Sequence, residues 1–162
     1  MTAQRSTHAR VATSVALVST GLLAGAFLYG WAVEAPTFDD VPLDVHLAYR
    51  VRLMERNGAA MPLLGSVATA AGLWSAATTR GAARLSAAGA AGLAGASLLV
   101  TRFGNVPING EIRRWAAGDV PADHQARLDT WSLFHDIRFA AAAGALVLAV
   151  LAADRATAGR SS

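Results

Sequence analysis

An all-α integral membrane four-helix bundle is the fold this sequence predicts, and three observations predict it. Four stretches carry no charge: Val11–Val33, Asn57–Thr79, Leu85–Thr101 and Phe139–Ala153. All 14 arginines and 11 acidic residues fall between or outside them, and there is no lysine. None of the four has the polar stripe at a 3.6-residue period that a water-facing helix needs. A chain of 162 residues is too short to bury four such helices in a core of its own, so lipid must cover them.

Taken in order, the spans fall at about 11–33, 58–79, 85–102 and 132–153, within one domain covering residues 1–162. Crossing a hydrocarbon layer of ~30 Å takes ~20 helical residues. The first run meets that directly, and it is too long for the apolar core of a cleaved signal peptide despite Arg5 and Arg10 before it. The second meets it with Ala, Ser and Thr in place of larger apolar residues. The third is short, but Arg102 at its end can snorkel to the headgroups. The fourth is short too. It reaches spanning length only when extended back to Trp131, which brings His135, Asp136 and Arg138 into its first turns. Small residues four apart (Gly21 and Gly25; Ala87, Ala91 and Gly95; Ala140 and Gly144) predict close helix packing inside the bundle, and they leave homo-oligomerisation open.

Arginine placement predicts sidedness. Both tails and the tight connection between spans two and three hold six Arg (Arg5, Arg10, Arg80, Arg84, Arg155, Arg160) against one acid, Asp154. The long connections, 34–57 and 103–131, dilute their Arg with acids. Both termini are therefore expected in the cytoplasm, the long loops outside, and the protein in the cell membrane as a multi-pass chain. The residues after Asp154 read as a frayed tail.

The first long loop contains Pro36, Asp39, Asp40 and Pro42, then a stretch from Leu43 to Arg56 with Leu43, Leu47, Val51 and Met54 on one helical face. His46 and Arg50 lie on an adjacent face. They either belong to an amphipathic surface helix or contact a ligand, and both readings stay open here. In the second long loop Pro107 is expected to end the third helix and turn the chain, flanked by Asn105 and Asn109 as cap residues. Ile108, Ile112 and Trp115 follow as an apolar edge, with Glu111 beside it. Trp131, His135 and Arg138 then fall at i, i+4 and i+7, one polar-aromatic stripe entering the bundle. Ionisable groups within a membrane helix are costly and face the interior or a wet cavity. Glu34, Glu111 and Asp136 are the candidate ion-pair partners of Arg138. Each half of the chain also runs span, Pro-led loop, His-plus-Arg helix, span, which hints at a duplicated unit.

Several classes are disfavoured. A pI near 10.5 invites a nucleic-acid reading, but the arginines are scattered, with no basic stripe or aromatic platform. Without cysteine there is no disulfide or thiolate chemistry. The four histidines have no metal-ligand spacing, so no metal site is expected. Transport fits poorly, because the spans hold no charge at mid-depth.

The Asn105-Val-Pro107-Ile-Asn109 turn and Trp115, followed by Trp131, His135 and Arg138 leading into span four, resemble the anthrone oxygenase-like family of small four-span membrane proteins. The resemblance implies oxygenation of an anthrone-like aromatic without metal, flavin or other cofactor. In that picture His135 is the base, Arg138 or Asn109 steadies the oxyanion, and Trp131 and Trp115 wall the pocket beside Asn105 and Glu111. The expected partners are membrane lipid and a hydrophobic or aromatic small molecule. The competing reading is a non-catalytic membrane subunit that binds a lipid or another hydrophobic ligand.

Overall fold

The computed structural model describes residues 2–158, with side chains described from Thr7 onward. Helix α1 spans Thr2–Tyr29, α2 Ala35–Asp39, α3 Leu43–Thr78, α4 Gly81–Val100, α5 Val106–Ala116 and α6 His124–Ala158. A π-helical turn joins α1 to α2 at Gly30–Glu34, and a second joins α4 to α5 at Thr101–Asn105. The described residues therefore form four continuous rods of 33 to 36 residues, each long and apolar enough to cross a membrane. The protein is a multi-pass membrane bundle. At 1.5 Å per residue each rod is roughly 50 Å long, against ~30 Å of hydrocarbon. The excess projects beyond the lipid and carries the polar residues.

The long connections, 34–57 and 103–131, are themselves mostly helical, as expected for Leu43 to Arg56, and only short links at 40–42 and 117–123 interrupt the rods. Pro107 does not turn the chain. It sits in the first turn of α5, where a missing N–H costs nothing. The π turn before it widens the helix by one residue, so the carbonyls facing the proline ring need not close an ordinary α turn. Val106, expected to be pushed out of the helical region, is helical at φ −60° and ψ −41°. Pro36 stands in the same relation to the first π turn. The C-terminal tail, expected to fray after Asp154, is helical to Ala158, and residues 159–162 lie outside the described residues.

Helices α1 and α4 each pack against both α3 and α6, and they meet each other only marginally, so they occupy one diagonal of the bundle. The central core joins Leu23, Ala24 and Phe27 to Ala68, Ala94, Ala142 and Ala145. Small residues bring the backbones together at Ala91, one of the predicted positions, but not at Gly25, where a Cβ would meet nothing within 4 Å. A Cβ on Gly72 would stand 2.9 Å from the Ala91 Cβ and 3.0 Å from its Cα. With almost no side-chain bulk between them, α3 and α4 gain dispersion contacts along their main chains. A second core lies at the end away from the α3–α4 connection, where Leu47, Ile108, Ile112, Trp115 and Leu128 pack together.

Candidate functional site

Between these two cores, where all four rods meet, lies a cavity of about 590 Å³. Phe27, Gly30 and Glu34 reach it from the first rod, Arg50 and Met61 from α3, Thr101 and Asn109 from the third rod, and Trp131, His135 and Arg138 from α6. Its exposed edge follows the α1–α3 seam at Ala26, Tyr29, Gly58 and Pro62. Pro62 lies inside α3 and has no N–H to return to the Gly58 carbonyl. Non-helical hydrogen bonding at membrane depth is tolerated where it borders a cavity.

The predicted stripe on α6 does face inward. His135 and Arg138 are 6 % and 7 % exposed, and the Trp131 and His135 rings stack at 5.3 Å and 7°. Arg138 Nη2 lies 2.7 Å from His135 Nδ1. Arginine has only donors, so Nδ1 accepts and the neutral ring carries its proton on Nε2. That nitrogen is buried without a hydrogen-bond partner. In this tautomer His135 is a donor, and it cannot be the base expected of it without giving up the bond to Arg138.

His135 is seated by a glycine. A Cβ on Gly30 would lie 2.9 Å from His135 Cε1 and 3.1 Å from Nε2, and 3.5 Å from Glu34 Oε2. The imidazole N–H and the carboxylate therefore converge on the gap left by the missing side chain. Gly30 and Glu34 both belong to the π turn, which sets their phase against His135 on α6. No ion pair forms between Arg138 and Glu34, Glu111 or Asp136, the partners expected from the sequence.

Arg50 joins from the other half of the chain. Its guanidinium lies 4.2 Å from the centre of the Trp131 ring and 4.4 Å from that of Phe38, and Nε donates to His46 Nε2 at 2.6 Å. The His46 ring is therefore neutral as well, and it stacks on Phe38 at 4.9 Å. Arg138 is held in a similar way, 5.1 Å from Phe27 and 5.4 Å from Trp131. Such cation–π contacts offset part of the cost of burying the charges. Neither arginine has a carboxylate partner within ion-pair distance. Arg50 Nη1 and Arg138 Nε are buried with no acceptor at all.

The remaining predicted residues divide. Asn109 lines the cavity, and its Oδ1 accepts from Trp131 Nε1 at 2.7 Å. Indole nitrogen only donates, so the amide orientation is fixed and Nδ2 is left as a donor. Asn105 is buried behind the wall, where its Nδ2 donates to the Trp131 carbonyl at 2.9 Å and its Oδ1 is unpartnered. It positions Trp131 rather than lining the pocket. Trp115 and Glu111 are not brought to the site. Trp115 belongs to the second core, and Glu111 is taken by Arg127 through hydrogen bonds of 2.8 and 2.5 Å. Among the described residues no three His, Asp or Glu side chains gather to hold a metal. Sequence reading missed Phe27 and Gly30, offered Glu34 only as a candidate ion-pair partner of Arg138, and left Arg50 undecided. The only signals were the Pro that follows each π turn and the His-plus-Arg echo between the halves.

No curated protein and no solved structure matches the chain. The family model for anthrone oxygenase, however, matches residues 51–148. That stretch is more than half of the sequence. It runs from α3, just after Arg50, through α4 and α5 into α6, and it contains the Asn105-to-Asn109 segment, Trp131, His135 and Arg138. The chain therefore belongs to the anthrone oxygenase family.

Proposed function

We propose that the cavity binds an anthrone-like phenolic aromatic and promotes its oxidation by dioxygen to the quinone, with no resident cofactor. The observation that carries this reading is the pair of buried guanidiniums, Arg50 and Arg138, which stand beside an aromatic wall with no carboxylate within ion-pair distance. A buried charge without a partner is expensive, and a ligand that becomes anionic as it reacts repays that cost when it matters most for rate.

The chemistry suits such a ligand. Loss of a proton from the ring CH₂ gives an enolate whose electron-rich carbon reacts directly with dioxygen. The carbon gains a C–O bond, the peroxide anion takes back the proton removed from the CH₂, and the resulting hydroperoxide loses water. One CH₂ becomes C=O, and one O₂ supplies that oxygen and the oxygen of the water. Among the described residues Glu34 is the only carboxylate on the cavity wall, and it serves as the proton acceptor in this reading. His135 Nε2–H, Arg138 and the Asn109 amide are the donors for the developing oxyanion, and Trp131 and Phe27 form the apolar walls. In a low-dielectric site fixed donors of this kind stabilise charge far better than they do in water.

The distribution of its arginines favours an orientation with the cavity end away from the cytoplasm, where an aromatic dissolved in lipid reaches the α1–α3 seam. The competing reading, a lipid-binding subunit, draws on the apolar groove between Val15, Leu22, Leu63 and Val67 lower on the same seam. One experiment separates them. Detergent-solubilised protein is mixed with anthrone in air, and quinone formation and oxygen uptake are followed against a protein-free control. The oxygenase reading expects acceleration with one O₂ consumed per quinone. A rate no faster than the control would leave only the ligand-binding role.

A further inference from the structure

The two halves of the chain contribute the same device to one cavity. In each, a π turn and a following Pro lead to a long helix bearing His and Arg, with the histidine stacked on an aromatic ring and hydrogen-bonded to the arginine. Both arginines are more than nine-tenths buried, at 4 % and 7 % exposure, and each keeps a buried nitrogen without an acceptor. An enolate oxygen beside His135 answers Arg138. That oxygen carries a single negative charge, and a second buried guanidinium, Arg50, also borders the cavity.

Nearby carboxylates act on Arg50 only from a distance, since neither Asp39 nor Glu34 comes within ion-pair range of it. Three arginines (Arg50, Arg113, Arg138) and one carboxylate, Glu34, line the cavity. Glu34 lies beyond ion-pair distance of Arg50, and if it takes the substrate proton it ceases to be an anion during turnover. His46 cannot compensate, because its Nε2 accepts from Arg50 and the ring is neutral.

We infer that the cavity has two anion-recognising heads, one from each half, and takes an aromatic that bears a carboxylate, which Arg50 binds. The inference rests on reading the cavity as an aromatic site, and it adds a specificity the reaction itself does not require. Arginine is the suited residue, since its planar fork pairs with a carboxylate through two hydrogen bonds. Arg50 is held between Phe38 and Trp131, so its fork is ordered before the ligand arrives.

The test measures binding and needs no turnover. Anthraquinone-2-carboxylate and the neutral anthraquinone-2-carboxamide are titrated into the solubilised protein, and tryptophan quenching is read. The carboxylate is expected to bind at least tenfold more tightly. That advantage should vanish in Arg50→Gln and persist in Arg52→Gln, whose side chain is exposed and paired with Glu55. Equal affinities in the wild type overturn the inference even if Arg50→Gln does not fold, and so does an advantage that survives in a folded Arg50→Gln. A protein that prefers the carboxylate but fails to accelerate anthrone oxidation upholds the second head and removes only the oxygenase reading.

Discussion

Gly30→Ala puts the proposed geometry to its sharpest test. The added methyl would stand 2.9 Å from His135 Cε1 and 3.1 Å from Nε2, so the ring must withdraw by about half an ångström to reach ordinary contact. It has little freedom to do so. Trp131 lies parallel to it at 5.3 Å, Phe27 meets it edge-on at 6.1 Å, and Arg138 holds Nδ1 at 2.7 Å. Overpacking of this kind costs ~1–3 kcal/mol. Misplacing a reacting group by ~1 Å costs ~10²-fold, so half that shift predicts a loss of about tenfold in turnover. Gly25→Ala is the control, because a Cβ there meets nothing within 4 Å. It should be neutral or gain up to ~1 kcal/mol from helix propensity. Quinone formation and thermal unfolding in detergent are measured for both variants. If Gly30→Ala matches Gly25→Ala in rate and in melting temperature, the gap over Gly30 has no functional meaning and the proposed seating of His135 is wrong.

Three further outcomes are expected. Arg138→Gln should lower kcat about 10²-fold, the loss typical of a missing oxyanion donor, with KM changed much less; a fall confined to KM would assign Arg138 to binding alone. Glu111→Gln should leave turnover unchanged and cost up to ~1 kcal/mol, because its two-bond pair with Arg127 is half-exposed and partly screened. A lost activity would return Glu111 to the site. Gly72→Val should prevent proper assembly, since its side chain would strike the Ala91 backbone, which cannot yield. A normal elution profile in detergent would contradict that packing.

The membrane fold was legible because its signal is the placement of charge, and charge cannot be hidden in lipid. The stripe of Trp131, His135 and Arg138 was legible for a related reason. Ionic groups spaced on one helical face at the edge of a span have few places to go other than inward. Residues from the first half were not legible in the same way. Whether Arg50 turns to the cavity or to the surface depends on how α3 rotates against α6, and no local pattern encodes that. Glu34 and Gly30 depend on a π turn, which adds a residue to the helical count and breaks the periodicity from which faces are read. Trp115 and Glu111 were misplaced because α5 continues its rod beyond the cavity. Its apolar edge then finds Leu47 and Leu128, and its acid finds Arg127.

Each π turn behaves as a single-residue insertion in an otherwise regular helix. Past it, every side chain is rotated by about a quarter-turn from where an uninterrupted α-helix would aim it. Length itself is thus a determinant of this site. Excising one residue from Gly30–Glu34 would leave Phe38 and Glu34 chemically intact yet swing them away from Arg50, with no change of composition to mark the loss.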